Sequence, residues 1–145
     1  MALKRSSTAV WKGGIKGSGT LTTLSGAFKE QPYSVNTRFT SEDGKAGTNP
    51  EELIAAAHAG CFTMALSFML NGAGFTADAI DTEANLTMDQ VNNAWTVTGV
   101  HLTTRARVPK IDAAKFAEIA SSAKASCPIS RLLNATITLD AALVS

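Results

Sequence analysis

The sequence predicts an α+β fold whose elements follow the order β-β-β-α-β-β-α-β within a single domain of residues 1–145. Three observations lead to this prediction. A long apolar segment starts with helix signals at Pro50, segments of alternating polar and apolar residues lie on both sides of it, and a second helical pattern follows Asp112. The first helix is the most apolar part of the chain, so we expect a central buried helix against an antiparallel sheet.

The composition is that of a folded protein without a nucleic-acid or membrane partner. Hydrophobic residues make up 45% of the chain and charged residues 17%, which is typical of a globular domain. The net charge is +1 and no run of Lys or Arg occurs, so nothing favours binding to nucleic acid. No apolar stretch follows the basic residues near the N-terminus, so we expect no secretory signal and a cytoplasmic protein.

Three short strands are predicted before the long helix. Residues 8–11 and 20–24 are strand-like, and the four glycines between them indicate a loose hairpin. These glycines match no phosphate-binding loop, because the Lys-Ser/Thr pair and the following helix are missing. Residues 33–39 alternate enough to be a third strand, and residues 41–47 form a polar loop before the helix.

The long helix has a clear start and an apolar surface on nearly every side. Asn49 is a good N-cap, Pro50 suits the first helical position and Glu52 completes a capping-box-like pattern. The helix is expected to end near Gly72. Residues 54–70 are the only candidate for a membrane span, but they are barely long enough and weakly hydrophobic, which favours a core helix.

One small sheet can cover only one side of such a helix. A second copy of the chain is the simplest way to bury the rest, so we predict an intimate, intertwined homodimer with the two long helices in contact. Gly60, in the middle of the helix, is consistent with a close approach of two backbones.

The C-terminal half is expected to hold a hairpin, a helix and a last strand. Residues 80–88 alternate almost perfectly, residues 89–93 form a turn, and residues 95–108 form the return strand, in which Gly99 indicates a β-bulge. Asp112 caps a helix whose apolar positions follow helical spacing. Cys127 and Pro128 break this helix and start a short one through Leu133, and residues 135–140 form the last strand.

The two cysteines are the first candidates for chemistry. Cys61 can be an inert core residue, a metal ligand or a nucleophile. Cys127 lies at a helix break, and the N-terminus of the short helix after it would stabilise a thiolate. Two cysteines are too few for a structural disulfide framework, and their unusual places suggest a couple that alternates between dithiol and disulfide.

The histidines offer two alternatives. His58 lies one turn before Cys61 on the same helix face, which makes a Cys–His hydrolase conceivable, although a packed or interface histidine is the more ordinary interpretation. A zinc site would need every Cys and His of the chain, namely His58, Cys61, His101 and Cys127. No compact ligand pair of the zinc-finger kind occurs, so we expect no metal and no other cofactor.

Arg38 and Glu51 are the remaining candidates. Arg38 can be an ordinary strand residue, and Glu51 can simply be a favourable charge in the first helical turn. Brought to a cysteine together, the guanidinium would hold the sulfur as a thiolate and the carboxylate would orient the guanidinium.

These segments resemble the OsmC family (osmotically inducible protein C). The resemblance lies in residues 47–53 (GTNPEEL), 56–66 (AAHAGCFTMAL) and 127–130 (CPIS), and extends to 11–13 (WKG) and 36–39 (NTRF). In the wider OsmC/Ohr superfamily, the Ohr branch takes its catalytic arginine from nearer the N-terminus. Residues 16–19 (KGSG) have no arginine here, so the chain resembles the OsmC branch.

The resemblance implies an obligate homodimer that reduces organic hydroperoxides in the response to oxidative or osmotic stress. It makes Cys61 the peroxidatic cysteine, Cys127 the resolving cysteine, and Arg38 with Glu51 the activating pair. It also implies a dithiol reductant, of the lipoyl-protein type rather than thioredoxin. The alternative from another class is a non-enzymatic, stress-related ligand-binding dimer with structural cysteines.

The spacing of Glu51 and Cys61 adds a geometric constraint. Ten residues of continuous helix rise about 15 Å, so these two side chains cannot meet within one straight helix. Either Arg38 bridges the gap from the sheet or Glu51 comes from the partner chain. We therefore hypothesise a composite active site at the dimer interface.

Overall fold

The computed structural model describes every residue from Met1 to Ser145 and confirms the α+β class and the predicted order of elements. The strands are β1 (Ser7–Lys12), β2 (Ser18–Thr23), β3 (Gln31–Ser34), β4 (Ala79–Val91), β5 (Ala94–Arg107) and β6 (Thr136–Leu143). The helices are α1 (Pro50–Gly72), α2 (Ala113–Ser126) and α3 (Pro128–Leu132), and a single π-helical turn spans Asn36–Thr40. Contacts divide the chain into two units, Met1–Leu53 and Ile54–Ser145.

The N-terminal unit is an antiparallel sheet in the order β1-β2-β3. Trp11 packs on Tyr33 with ring centroids 5.4 Å apart. Gly19 lies where a Cβ atom would collide with the Val10 carbonyl oxygen, so the strands can approach here only with glycine. No residue of this unit is buried. The unit therefore has no hydrophobic core inside a single chain.

The predicted third strand, residues 33–39, is wrong in its second half. The strand stops at Ser34, and the backbone then turns through Asn36–Thr40 with a bond from the Ser41 N–H to the Asn36 carbonyl. The Thr37 hydroxyl donates to the Ser34 carbonyl (3.0 Å) and accepts from the Ser34 N–H (2.9 Å). Such local side-chain bonds compete with the strand ladder. Arg38 therefore extends from a helical turn and not from a strand.

The C-terminal unit contains a sheet in the order β4-β5-β6, and this sheet is mixed. β4 and β5 are antiparallel, but β6 is parallel to β5, so the expectation of an antiparallel sheet is wrong for the last strand. The cause is the connection: α2 and α3 carry the chain back along the sheet, and such a crossover gives a parallel neighbour. Alternation in β6 marks its inner face but carries no information about its direction.

The β4–β5 hairpin is tighter than the sequence indicates, and its bulge is confirmed. Asn92 and Asn93 both have positive φ (51° and 63°), as a two-residue type I′ turn requires, so both strands run closer to the turn than predicted. Thr87 pairs with Gly99 and the next residue, Met88, pairs with Val97, which leaves one extra residue in β5 beside Gly99.

Both ends of α1 are capped by hydrogen bonds from neighbouring residues of the chain. The Asn49 side chain accepts a bond from the Glu52 N–H (2.8 Å), as predicted, whereas the Glu52 carboxylate accepts one from the Thr48 hydroxyl (3.0 Å). At the other end, the Phe75 N–H donates to the Leu70 carbonyl (2.9 Å) around Gly74, whose φ is +87°. This is a Schellman motif: α1 ends at Gly72, as predicted, and Gly74 is the glycine in the left-handed conformation that follows it.

Only one face of α1 is buried in its own chain. The buried residues recur every fourth position: His58, Phe62, Leu66 and Leu70. They join a core that includes Val100 and Leu102 of β5 and Phe116, Ile119, Ala120 and Ala123 of α2, the four predicted positions. The opposite face is exposed, with Met64 and Phe68 at 58% and 70%. By length and composition alone, α1 is also the one helix that could cross a membrane.

Candidate active site

Arg38 and Glu51 form an ion pair within the N-terminal unit. The Arg38 Nη2 atom donates to Glu51 Oε1 at 2.7 Å, and its Nε atom lies 3.2 and 3.1 Å from the two carboxylate oxygens. Two parallel contacts of this kind fix the plane of the guanidinium. The Arg38 side chain is 36% exposed and Glu51 only 15%, so one side of the cation remains open.

Asn49 links the turn that carries Arg38 to the helix that carries Glu51. While its Oδ1 atom caps α1, its Nδ2 atom donates to the Thr37 carbonyl at 3.2 Å. One amide side chain thus bonds both to the turn before α1 and to the first turn of α1, and it restrains the position of Arg38 relative to Glu51. The sequence indicates only the cap; the second bond could not be read from it.

A groove of about 300 Å³ lies beside Arg38 in the same unit. Its lining includes the aromatic rings of Trp11, Tyr33 and Phe39, and Phe39 lies under the guanidinium with 4.9 Å from Cζ to the ring centroid. An apolar wall next to an open cation is suited to a small molecule with a polar head and a hydrocarbon tail.

Cys61 and Cys127 meet in the C-terminal unit. Both are free thiols, and their sulfur atoms are 2.9 Å apart and share a hydrogen bond. A disulfide bond is about 2.05 Å long, so a movement of less than about 1 Å would close it. Cys127 is completely buried, whereas Cys61 is partly exposed. Within this chain, only Cys61 offers its sulfur to a molecule from outside.

The surroundings shift the pKa values of the two thiols in opposite directions. Burial is the largest influence on Cys61 and raises its pKa, and the hydrogen bond to Cys127 raises it further. Burial also acts to raise the pKa of Cys127, but hydrogen bonding from Cys61 and from Ser130, with the Ile129 amide, outweighs it and lowers that pKa. Within one chain, the hydrogen bonds around the pair thus favour ionisation of Cys127, while burial opposes ionisation of Cys61.

The start of α3 explains part of this difference. Ile129 and Ser130 lie in its first turn, where backbone N–H groups have no helical partner and favour a nearby negative charge. The amides of Ile129 and Ser130 act on the Cys127 sulfur as hydrogen-bond donors and thereby lower its pKa. The predicted thiolate-stabilising position of Cys127 agrees with this arrangement.

The His58 side chain contacts Ser130, beside the two cysteines, and forms no hydrogen bond with Cys61. It is fully buried, its Nε2 atom lies 2.7 Å from the Ser130 hydroxyl oxygen, and burial lowers its pKa. Ser130 is the residue that sequence reasoning missed, because a serine 72 positions away gives no local signal. The motif of Cys127 through Ser130 was the only indication.

The four residues of the conceivable zinc site are not gathered together. No group of three or more His, Cys, Asp or Glu side chains is arranged to hold a metal ion. His101 is exposed and lies with its Nδ1 atom 2.6 Å from the Thr138 hydroxyl oxygen. Among the apolar residues near the two sites, Phe62 is fully buried in the core, while Phe39, Met64 and Phe68 are exposed.

The comparisons with known proteins agree with this geometry. The OsmC family, described as "OsmC-like protein", matches residues 42–142. Peroxiredoxin OsmC of Escherichia coli strain K12 is 50% identical over the full length of both chains. The organic hydroperoxide resistance protein OhrB of Bacillus subtilis is 31% identical over 91 residues, covering 62% of this chain and 65% of OhrB.

The fold also has a solved counterpart. An OsmC-like protein of unknown function from Vibrio cholerae superposes with a TM-score of 0.80 at 14% identity, covering 97% of this chain and all of the other. At that identity the likeness concerns the fold alone. The full-length identity to the E. coli protein and the family match over residues 42–142 lead to one conclusion: this chain belongs to the OsmC family.

Proposed function

We propose that this protein is a thiol peroxidase that reduces organic hydroperoxides to alcohols. The observation that carries the proposal is the pair of free thiols at 2.9 Å, of which Cys61 is reachable and Cys127 is buried. The relatives add the substrate class, since one is called a peroxiredoxin and the other an organic hydroperoxide resistance protein.

The reaction has two chemical steps and a reductive one. The Cys61 thiolate attacks the distal peroxide oxygen, the O–O bond breaks, and the departing alkoxide takes a proton to give the alcohol, leaving Cys61 as a sulfenic acid. Cys127 then attacks the Cys61 sulfur, forming a disulfide and releasing water. An external dithiol restores both thiols by exchange and is itself oxidised.

The exposure of the two sulfurs supports the proposed order of the cysteines. A peroxide cannot reach a sulfur that has no accessible surface, so Cys127 is unsuited to the first attack. Cys61 is accessible but its pKa is raised in the single chain, so it needs a further positive charge to react as a thiolate near neutral pH. The open side of the Arg38 guanidinium is the cation suited to this task.

A homodimer supplies the arrangement. The exposed apolar face of α1, with Met64 and Phe68, and an N-terminal unit without a buried residue both call for a covering surface. Glu51 contacts Arg38 of its own chain and is ten residues from Cys61 on one helix. In our proposal, the Arg38–Glu51 pair of one chain serves Cys61 of the partner chain.

The remaining parts of the proposal concern substrate, reductant and place. The aromatic groove beside Arg38 accommodates the alkyl part of the hydroperoxide. A lipoyl-type dithiol acts as reductant, and a cytoplasmic location keeps both thiols reduced between turnovers. Residues 1–145 work as one domain, and neither nucleic acid nor membrane takes part.

The test is a single turnover with one equivalent of cumene hydroperoxide and a count of free thiols before and after. We expect the rapid loss of both thiols, no loss in Cys61→Ser, and a trapped sulfenic acid in Cys127→Ser. Two persistent thiols in the unaltered protein would refute the peroxidase and favour a ligand-binding dimer with structural cysteines. Hydrolysis of an activated ester that depends on His58 would instead indicate a cysteine hydrolase.

A further inference from the structure

Three groups, His58, Ser130 and Cys127, lie in a row behind the reactive Cys61. The His58 Nε2 atom lies 2.7 Å from the Ser130 hydroxyl oxygen. Ser130 lies in the first turn of α3, which Cys127 begins, and its hydroxyl acts to lower the pKa of Cys127. The Cys127 sulfur in turn lies 2.9 Å from that of Cys61. The peroxidase reaction proposed above uses the two sulfurs and leaves His58 and Ser130 without a role.

The free nitrogen of His58 shows which way the hydrogen bonds run. His58 Nδ1 is buried and has no partner. A buried N–H without an acceptor is rarer and more costly than an unused lone pair, so the proton of the neutral ring belongs on Nε2. The Nε2–H group then donates to Ser130, and the single O–H of Ser130 is left to donate to the Cys127 sulfur.

We propose that Ser130 is a catalytic residue of the second chemical step and that His58 is the positioning residue that aims its hydroxyl at Cys127. This inference rests on the proposed function and deepens it. In that step the Cys127 thiolate attacks the Cys61 sulfenic acid, an S–S bond forms and the S–O bond breaks. The departing hydroxide takes up the proton that Cys127 released, which gives one water molecule.

The hydroxyl matters most once Cys61 has been oxidised. In the reduced pair, the Cys61 thiol is itself a donor that stabilises a Cys127 thiolate. Oxidation to the sulfenic acid removes that S–H group. The donors that the surrounding chain offers to Cys127 are then the Ser130 hydroxyl and the amides of Ile129 and Ser130, of which only the hydroxyl can be removed by substitution without changing the backbone.

The first experiment separates the two chemical steps in a single turnover. Hydroperoxide consumption reports the first step, and disulfide formation, followed by alkylation and mass spectrometry, reports the second. We expect Ser130→Ala to slow disulfide formation about tenfold more than hydroperoxide consumption, since a hydrogen bond to a charged group is lost. Ser130→Thr keeps the hydroxyl and should restore most of the rate. Equal effects on both steps, or none, would overturn the proposal.

Variants of His58 test its positioning role. His58→Gln keeps an N–H donor near the Nε2 position, whereas His58→Leu fills the space without one. We expect His58→Leu to slow disulfide formation as much as Ser130→Ala does. In His58→Gln, the logarithm of this rate should recover at least half of the loss seen in His58→Leu. If His58→Leu forms the disulfide as fast as the unaltered protein, or if His58→Gln is as slow as His58→Leu, His58 is only a packing residue.

A third measurement needs no hydroperoxide and no folding-sensitive histidine variant. In Cys61→Ala, the ultraviolet absorbance of the thiolate follows the titration of Cys127 alone. Adding Ser130→Ala should move this titration to higher pH by roughly one unit, and adding Ser130→Thr should not. An unmoved titration would overturn the role of Ser130. Failure of the unaltered protein to consume hydroperoxide would refute the proposed function instead.

Discussion

At the scale of single residues, the reactivity of Cys61 depends on nearby charges that favour its thiolate form. Its own chain raises the pKa of this thiol, chiefly through burial; the Ile129 amide acts on both sulfurs, and the Ser130 amide favours Cys127 alone. In the proposed reaction, access favours Cys61 as the nucleophile of the first step, and the Arg38 guanidinium promotes its ionisation. The bond pattern between Arg38 and Glu51 keeps that cation oriented.

Replacing Arg38 by methionine tests this dependence. We expect hydroperoxide consumption near neutral pH to fall by about tenfold or more, because the thiol then keeps its proton to higher pH. For the same reason, the rate of Arg38→Met should recover as the pH rises, and its pH profile should be displaced to the alkaline side. Stopped-flow measurement of the first step over a pH series gives this profile.

A matched control is available for that variant. Arg105 is also exposed and paired with a carboxylate, that of Asp140, at 2.8 Å. Arg105→Met should leave the profile unchanged. An unshifted profile in Arg38→Met would contradict the activating role of the guanidinium.

At the scale of elements, caps and periodicity were predictable and two features were not. Asn49 and Asp112 begin their helices as predicted, since an acceptor side chain at these positions satisfies a free N–H group. The turn at Arg38 was missed because Ser34 and Thr37 bond to each other, which residue spacing does not reveal. The direction of β6 was missed because it depends on a crossover and not on the strand.

The candidate site was predictable to a similar extent. Both cysteines and the Arg38–Glu51 pair follow from residue types and resemblance, and the structure brings each pair together. Ser130 and the second bond of Asn49 were not predictable, because common polar residues become informative only when a distant segment folds against them.

The double role of Asn49 can be separated by substitution. Asn49→Ala loses the cap and should lower the free energy of unfolding by about 1 kcal/mol. Asn49→Asp keeps the capping oxygen but loses the donor to the Thr37 carbonyl, so it should retain stability while lowering the rate of the first step. Thermal unfolding and single-turnover kinetics measure the two effects. If Asn49→Asp preserves both the stability and the rate of the first step, the bond to Thr37 does not position Arg38.

The end of α1 offers a stability test that is independent of catalysis. Gly74 has a φ of +87°, so Gly74→Ala should destabilise the protein by about 1–2 kcal/mol. Gly72 lies inside the helix with open space where a methyl group would lie, and Gly72→Ala should be neutral or stabilising. Urea unfolding of the two variants compares them directly. A reversed order would contradict the Schellman motif.

At the scale of the whole molecule, the proposed dimer makes one prediction that a single chain cannot imitate. Cys61→Ser and Arg38→Met should each be nearly inactive alone. Refolded together, half of the dimers are mixed, and each mixed dimer has one intact site if Arg38 acts on the partner's Cys61. We expect about a quarter of the unaltered activity to return. No recovery, with mixing verified by mass spectrometry, would place both groups in one chain.

The face that holds the dimer together can be tested as well. Phe68 is 70% exposed on α1, so Phe68→Glu should convert a species of twice 15.1 kDa into monomers, as measured by light scattering. Val91→Glu, at the tip of the β4–β5 hairpin, is the control and should remain dimeric. A monomeric unaltered protein with full activity would refute the dimer.

The absence of any buried residue before Ile54 also bears on how the protein reaches its native state. If the chain dimerises as proposed, its N-terminal segment becomes ordered only when two chains meet, because its hairpins have too little internal packing of their own. Refolding should then show a phase whose rate grows with protein concentration. Until that encounter, the first fifty or so residues are the part of the chain that a protease would cut first.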